Sequence, residues 1–586
     1  MVLLLCTTVA AVLFFVGMLY VSAFGFDVTD EGAWMQWAAP SAYIGGFTRF
    51  GFAYHPLYLL LDGDLLSLRR MNLWIMGIAA VLCAATVLRA LFPAARLGAF
   101  PLAMLAVALA PAALLFNQNI APTPSYNSLT LLAMLIAVAG AFAAERLPTR
   151  RSVVGWFALG VGGWLLFLAR PTGAALLVIA VVVFLRTSGR WNSGWAAASA
   201  AVATAGVFMT GMVIDGGPVA MIENMAGGAI RYSSNVPGYT PLHMLSRFVR
   251  PNLWQMVAAA LIAGSAVGAV YATRRMRSDT LALLLPLLLP MVLILIGFGV
   301  FPRFFAPLQG MLVGAPSLAM AVAAWQAWRS GISESRDARM LAESVFLMLL
   351  PMIWAFGSNI TYYRGNAGIF YVLAGASLLR LLPKTIRRDA TVLRLGAYAL
   401  AVQLCVGVTG AGFLASPYRH PGPLLAAGSP LRLGRSTQPV RVDAKYAAYF
   451  DEAAAAAQRA GLPMGTWIID LTGVSPGLLH HFGAFGAGSP WLIGHYDTRD
   501  RQAFVMLAHE SCAVMAGAWV LDEPGSRWRI SPAVLKSYGA DLQSDFEAVA
   551  TWPSLDSPTT GGAGLRQILY RPTRAAADAA AACRAR

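Results

Sequence analysis

Uncharged apolar runs of about 20 residues recur along the first 413 positions, and a helix of that length is what crosses a hydrocarbon core. In lipid every backbone amide must be paired within its own element, which leaves such runs helical. The first run opens the chain, MVLLLCTTVAAVLFFVGMLYVSAFGF. It has no basic leader and is longer than the roughly 7–15 residues of a signal-peptide core. It therefore reads as a retained membrane helix, with VSA-FG as the weak cleavage-like rival. Composition agrees: 58% of the 586 residues are hydrophobic and 12% charged, against about 25% charged in soluble domains. The mean hydropathy is +0.63, so a soluble globular chain and a disordered one are both excluded. The fold class expected is a polytopic α-helical membrane protein.

Thirteen candidate spans follow, near 1–24, 72–92, 98–116, 127–144, 152–169, 171–186, 193–213, 253–273, 280–299, 304–328, 342–356, 367–383 and 392–413. The pair meeting at ARPTG reads as one tight turn or one broken helix. With the N-terminus inside, the inward loops carry Arg89 and Arg96, then Arg146, Arg150 and Arg151, then Arg186 and Arg190. Arg274, Arg275 and Arg277 come next, followed by Arg329, Arg336 and Arg339, and by Lys384, Arg387 and Arg388. Every inward loop is basic, as the positive-inside rule requires. The net charge of +16 is then topology, and no nucleic-acid partner is expected.

An odd span count leaves 414–586 outside as a small α/β or α+β domain after a membrane core of 1–413, whose exterior loops include 25–71 and 214–252. RVDAKYAAYFDEAAAAAQRAG has a helical pattern, and GTWIIDLTG and RQILYRP read as strands. The terminal RAAADAAAACRAR reads as frayed. Cys512 and Cys583 are available for a disulfide in an oxidising compartment. The compartment expected is a bacterial cytoplasmic (inner) membrane with the tail in the periplasm.

The exterior loops hold the unusual residues. In FGFDVTDEGAWMQWAAP, Asp27, Asp30 and Glu31 crowd the exit of the first span, and Trp34 and Trp37 follow at helical spacing. Asp27 and Asp30 have a competing reading as helix caps, which suits Asp27 best. The loop continues with Arg49, His55, Asp62, Asp64, Arg69 and Arg70, and one or two helices lying on the outer face over a cavity are expected. The second exterior loop, FNQNIAPTPSYNS, contributes Asn119 and Tyr126 but no acid. Arg231, Arg303 and Arg364 stand at outer ends against the positive-inside bias, with Asn359 and Tyr362 close to the last. Snorkelling accounts for any one arginine. Together with Arg49, they suit an anionic phosphate. His55, Asn119, Tyr126, Asn359 and Tyr362 are the polar candidates for the cavity wall.

A sugar carried on a lipid phosphate would find what it needs at such a face. A carboxylate takes the proton of the acceptor hydroxyl, a cation meets the leaving phosphate, and helices offer a groove for the lipid. DVTDEG and FAYHPLYLLLDGDLLSLRRMNLW resemble the polyprenyl-phosphate-sugar-dependent mannosyl and aminoarabinosyl transferases of the GT-C superfamily of membrane glycosyltransferases. The resemblance covers the core to about residue 413 and implies a thirteen-span fold with an exterior C-terminal domain. It implies an inverting transferase in which Asp30 and Glu31 are the catalytic acids, Asp30 as the base or assisting a metal and Glu31 as its acidic neighbour, and Arg69 or Arg70 with Asn72 opens the next helix. The partners implied are a polyprenyl-phosphate-linked sugar, a glycan, lipid or protein acceptor, and membrane lipids. Asp30, Asp62 and Asp64 are oxygen donors for Mg²⁺, Mn²⁺ or Ca²⁺, although the second-loop acid of some relatives is missing. No WWDYG-like run is present, against the oligosaccharyltransferase branch. A lipid or glycan transporter is the rival class, and it lacks here the internal repeats and mid-membrane acids such proteins carry. A scaffold or sensor would leave the first loop unexplained. In the tail, Asp470, His480, His481 and His495 fit no HExxH or finger spacing, and no GxSxG elbow occurs. The expectation is that 480–495, including the glycine-rich FGAFGAGSP, lies over the cavity holding Asp30 and shapes the acceptor entrance.

Overall fold

The computed structural model describes residues 1–39, 46–92, 98–118, 121–235, 335–357, 366–381, 388–557 and 559–585. Helix α1 (Val2–Val21) leads to two short helices, α2 (Asp30–Ala38) and α3 (Phe50–Leu60). Then come α4 (Leu65–Leu91), α5 (Ala99–Leu109, continued by a 3₁₀ segment Ala110–Gln118), α6 (Tyr126–Ala143), α7 (Arg150–Ala169), α8 (Pro171–Thr187), α9 (Ser193–Ile214) and α10 (Pro218–Asn235). Helices α11 (Ser335–Ala355), α12 (Gly368–Leu378) and α13 (Arg388–Ala415) complete the apolar part.

Among the described residues seven helices are long and apolar enough to cross a membrane, with α8 and α12 shorter. The expected spans 253–273, 280–299 and 304–328 lie outside the described residues. At ARPTG the chain makes two helices: Arg170 is extended (φ −157°, ψ 91°) and Pro171 takes the first turn of α8, where its missing N–H costs nothing. Leu5, Val9, Leu13 and Val16 of α1 are more than half exposed or close to it, as suits a helix facing lipid. The helix core is built from the packed faces of α4 to α8 and α11 to α13. At the arginine-rich end Glu343 is buried among Arg190, Arg339 and Arg380, the last at 2.7 Å.

Helix α4 starts earlier than expected, at Leu65, because Asp64 caps it by accepting the Ser67 N–H at 2.9 Å. That cap carries Arg69 into the first turns of the helix. The C-terminal region forms a hairpin of β1 (Ser429–Leu431) and β2 (Val440–Val442), then α14 (Ala444–Arg459), and a five-stranded sheet ordered β4-β3-β5-β7-β6. Strands β3 (Trp467–Asp470), β4 (Phe485–Gly486) and β5 (Trp519–Asp522) are parallel. Strand β7 (Arg566–Pro572) runs antiparallel to both β5 and β6 (Phe546–Pro553). Helix α15 (Pro476–His481) follows β3, and α16 (Arg499–Ala508) follows β4. The α/β expectation for the tail corresponds to this sheet and its helices. The tail end differs from the frayed reading: Ala576–Arg584 is a helix, and its Cys583 is disulfide-bonded to Cys512.

The first loop and the C-terminal region share one apolar core. Phe26, Val28, Met35, Tyr58 and Leu65 pack with Leu431, Val440, Phe450, Leu478 and Trp552. At roughly 1.5–3 kcal/mol for each large side chain buried, this cluster fixes the C-terminal domain on the first loop.

Candidate active site

Two reciprocal side-chain contacts start α2. Asp27 accepts the backbone N–H of Asp30 at 3.1 Å and both the N–H and the hydroxyl of Thr29, at 3.0 and 2.7 Å. Glu31 reaches back to the Asp27 N–H at 3.2 Å. The capping role weighed for Asp27 is what its carboxylate performs, and Asp30 is left to point elsewhere.

Glu31 is 0% exposed and forms a fork with Arg69, itself 1% exposed. Arg69 donates from Nε to Oε1 at 2.8 Å and from Nη2 to Oε2 at 2.6 Å, and its other N–H groups reach the carbonyls of Ser22 at 2.7 Å and Gly25 at 2.9 Å. Thr123 of the second exterior loop donates its hydroxyl to the same carboxylate. Glu31 thus ties together the exit of α1, the start of α4 and the second exterior loop.

Asp30 lines a cavity of about 90 Å³. Trp34, Trp37 and Tyr126 form one wall, and Gly488, Ser489, Pro490 and Trp491 close the other. The tail segment expected over Asp30 is there. Its seat is set by close backbone approach: a Cβ on Gly32 would come within 2.3 Å of Gly477. Gln36 donates to the Pro476 carbonyl at 2.7 Å and accepts the Gly486 N–H at 2.8 Å, and Gly477 donates to the Val28 carbonyl at 2.7 Å.

Two residues that the sequence reading passed over complete the site. Tyr418 donates its hydroxyl to Oδ2 of Asp30 at 2.8 Å, and Nη1 of Arg419 meets the same oxygen at 2.9 Å. Arg419 also bonds the Thr29 hydroxyl and lies 3.8 Å from Asp27. Both partners of the ion pair keep access to solvent, Arg419 at 28% and Asp30 at 24%. Burial drives the Asp27 carboxyl up to about 6; Arg419 pulls it down and Asp30 pushes it up. The signal for this pair was faint, because Tyr418 and Arg419 stand in a short stretch after the last span that reads as a linker.

The remaining candidates disperse. Arg49 is 2% exposed, in an ion pair with Asp215 at 3.3 Å, and donates to the Gly46 carbonyl at 2.8 Å. His55 bonds the Ala38 carbonyl through Nδ1 at 2.8 Å, joining α2 to α3. Arg231 belongs to α10, and its side chain, like Asn119, Arg303, Asn359, Tyr362 and Arg364, lies outside the described residues. Asp62 occupies a left-handed turn position (φ 50°), and Asp64 also accepts the Gln438 N–H at 2.9 Å. With Asp30 engaged by an arginine and Asp64 by a helix cap, these side chains do not make a cation cage. Among the described residues no three His, Cys, Asp or Glu side chains gather in a way that would hold a metal. Of the tail histidines, burial lowers His480 to about 4, with His481 adding to the shift. His495 is lowered too, mainly by burial, and packs on Trp528 with ring centroids 4.3 Å apart.

No family model matches the chain, and no curated protein matches it. Among solved structures it is similar to the crystal structure of ArnT from Cupriavidus metallidurans in the apo state, at 13% identity and a TM-score of 0.38, covering 95% of this chain and 97% of that one. It is similar as well to the crystal structure of the same protein bound to undecaprenyl phosphate, at 15% identity with the same coverage and TM-score.

Proposed function

We propose that the chain is an inverting glycosyltransferase moving a sugar from a polyprenyl-phosphate donor to a cell-envelope acceptor at the outer face of a bacterial cytoplasmic membrane, with Asp30 as general base. The observation that carries this reading is the partly exposed Asp30 carboxylate in a tryptophan- and tyrosine-lined cavity. The lining comes from α2, the start of α6, α10, the 488–493 segment and α16. Flat aromatic walls with a few polar groups are the usual lining of a small-molecule site, and membrane-facing helices suit a prenyl chain.

In the step proposed, the acceptor hydroxyl attacks the anomeric carbon and Asp30 takes its proton. The bond from that carbon to the phosphate oxygen breaks, and the polyprenyl phosphate leaves with the electron pair. Glu31 serves by holding the helix that presents Asp30. Arg303 and Arg364 stay proposals for the donor phosphate. Arg49 and Arg231 stand behind them, since Arg49 is already matched by Asp215.

The test is sugar transfer from defined polyprenyl-phosphate sugars by the purified protein in membranes. Wild type is expected to transfer and Asp30→Asn to lose about 10²–10⁴-fold, the usual worth of a general base. Equal transfer by both removes Asp30 as base, and no transfer from any donor removes the transferase reading.

A further inference from the structure

The guanidinium of Arg419 is held in an unusual way. Its backbone is left-handed at φ 53°, a region that residues with a Cβ seldom enter. That turn brings the side chain back over Tyr418, 4.9 Å from the ring centroid, and to Trp491 at 5.7 Å. The edge of the guanidinium meets Asp30, Thr29 and, farther off, Asp27. Trp491 and Asp30 both line the cavity. The oxygen that would take a proton, Oδ2 of Asp30, is engaged by two donors at once, Tyr418 and Arg419. That oxygen is thus occupied, while the carboxylate as a whole keeps access to solvent.

We infer that Arg419 binds the donor phosphate and, until the donor arrives, masks Asp30: the phosphate draws the guanidinium off the carboxylate and so uncovers the base. This rests on the transferase reading above. A guanidinium fork fits two phosphate oxygens as well as it fits a carboxylate. The phosphate also gains charge as its bond to the sugar breaks, so the hold strengthens toward the transition state, which is where it accelerates the reaction. The exchange keeps one cation between two anions, and Asp30 loses its arginine only where a phosphate has replaced it.

The experiment is a binding cycle on the full-length protein in phosphatidylcholine nanodiscs, titrated with a polyprenyl monophosphate. The proteins are wild type, Asp30→Asn, Arg419→Gln and the double variant. Arg419→Gln is expected to bind about tenfold more weakly, the worth of one charged contact, and Asp30→Asn to bind more tightly than wild type. The gain from Asp30→Asn must be larger when Arg419 is present than when it is Gln. Repulsion between Asp30 and phosphate alone gives the opposite sign, because Arg419 would then be screening Asp30. A gain equal or larger in the Arg419→Gln background overturns the masking, and unchanged affinity in Arg419→Gln overturns the phosphate contact. No binding by wild type overturns the donor reading itself. Thermal midpoints in the same discs separate a lost fold from a lost ligand, and Arg419→Lys, which keeps the charge, is expected to recover part of the affinity.

Discussion

Asp27-Val28-Thr29 and Asp470-Leu471-Thr472 are one turn built twice. In each, the aspartate accepts its own threonine's N–H at 3.0 Å and hydroxyl at 2.7 or 2.6 Å. Each also takes a further backbone N–H, from Asp30 at 3.1 Å and from Ser475 at 3.0 Å. Burial pushes both carboxyls up to about 6. What differs is the neighbourhood. The first turn adjoins a half-open ion pair in a cavity. The second lies in the core of the five-stranded sheet, and the charge acting on it is the carboxyl of Glu523, which raises it further. The two are in series, because Trp491 of the cavity wall donates its indole N–H to Gly473, next to the second turn, at 2.8 Å. The same local chemistry thus presents a half-open carboxylate in one place and supports a wall in the other.

That contrast breaks most readily at the carboxylates. Asp30→Asn is expected to abolish transfer by about 10²–10⁴-fold with folding intact. Asp470→Asn should lower the yield of folded protein while leaving the specific activity of what folds near wild type. Similar losses of specific activity in both would erase the distinction. The next largest effect is at the pair that braces the first turn. Arg69→Met leaves Glu31 buried and uncompensated, at a cost of about 3–5 kcal/mol, read as a lowered unfolding midpoint.

Titration sharpens the comparison. Each of the two carboxyls moves from about 3.9 in the unfolded chain to about 6 in the folded one. A carboxyl raised on folding stabilises while protonated, so its contribution is whole below about pH 4 and is lost as pH rises through about 6. The loss is at most about 3 kcal/mol for each group. Stability should therefore fall from pH 4 to 6, and fall less in Asp470→Asn. Arg419 restrains Asp27 alone, so Arg419→Gln should extend the fall above pH 6. A flat profile in wild type would count against both turns being buried as described. The smallest effect expected is at the joint between them. A Cβ on Gly477 would stand 2.7 Å from the Val28 carbonyl, and Gly477→Ala should cost about 1–3 kcal/mol, measured as weaker resistance of the exterior domain to proteolysis.

The described spans were legible because lipid leaves one solution for a long apolar run, and the two helices of the first loop followed from tryptophan spacing and polar breaks. The position of Asp30 in a cavity beneath 488–491 agrees with the expectation drawn from the acid triplet and the glycine-rich rim. Arg419 was not legible. It stands 389 positions from Asp30, and nothing local marks a linker arginine that curls back through a left-handed turn. Glu31 was read as half of a catalytic pair, whereas its side chain is sealed against Arg69. Adjacent residues on a helix point about 100° apart, and the sequence alone does not say which of two acids faces the open side.

The wall of the cavity is contributed by residues from both early and late in the chain, with Asp30 at one extreme and Trp491 and Met506 at the other. During synthesis the N-terminal part emerges first, so the carboxylate is made long before its covering partners. Nearly the whole membrane part must be laid down, and the tail folded, before the cavity exists in the form described. A chain halted anywhere before residue 418 carries the acid with neither its tyrosine nor its arginine. Assembly of the cavity thereby needs the early and the late parts of the chain together.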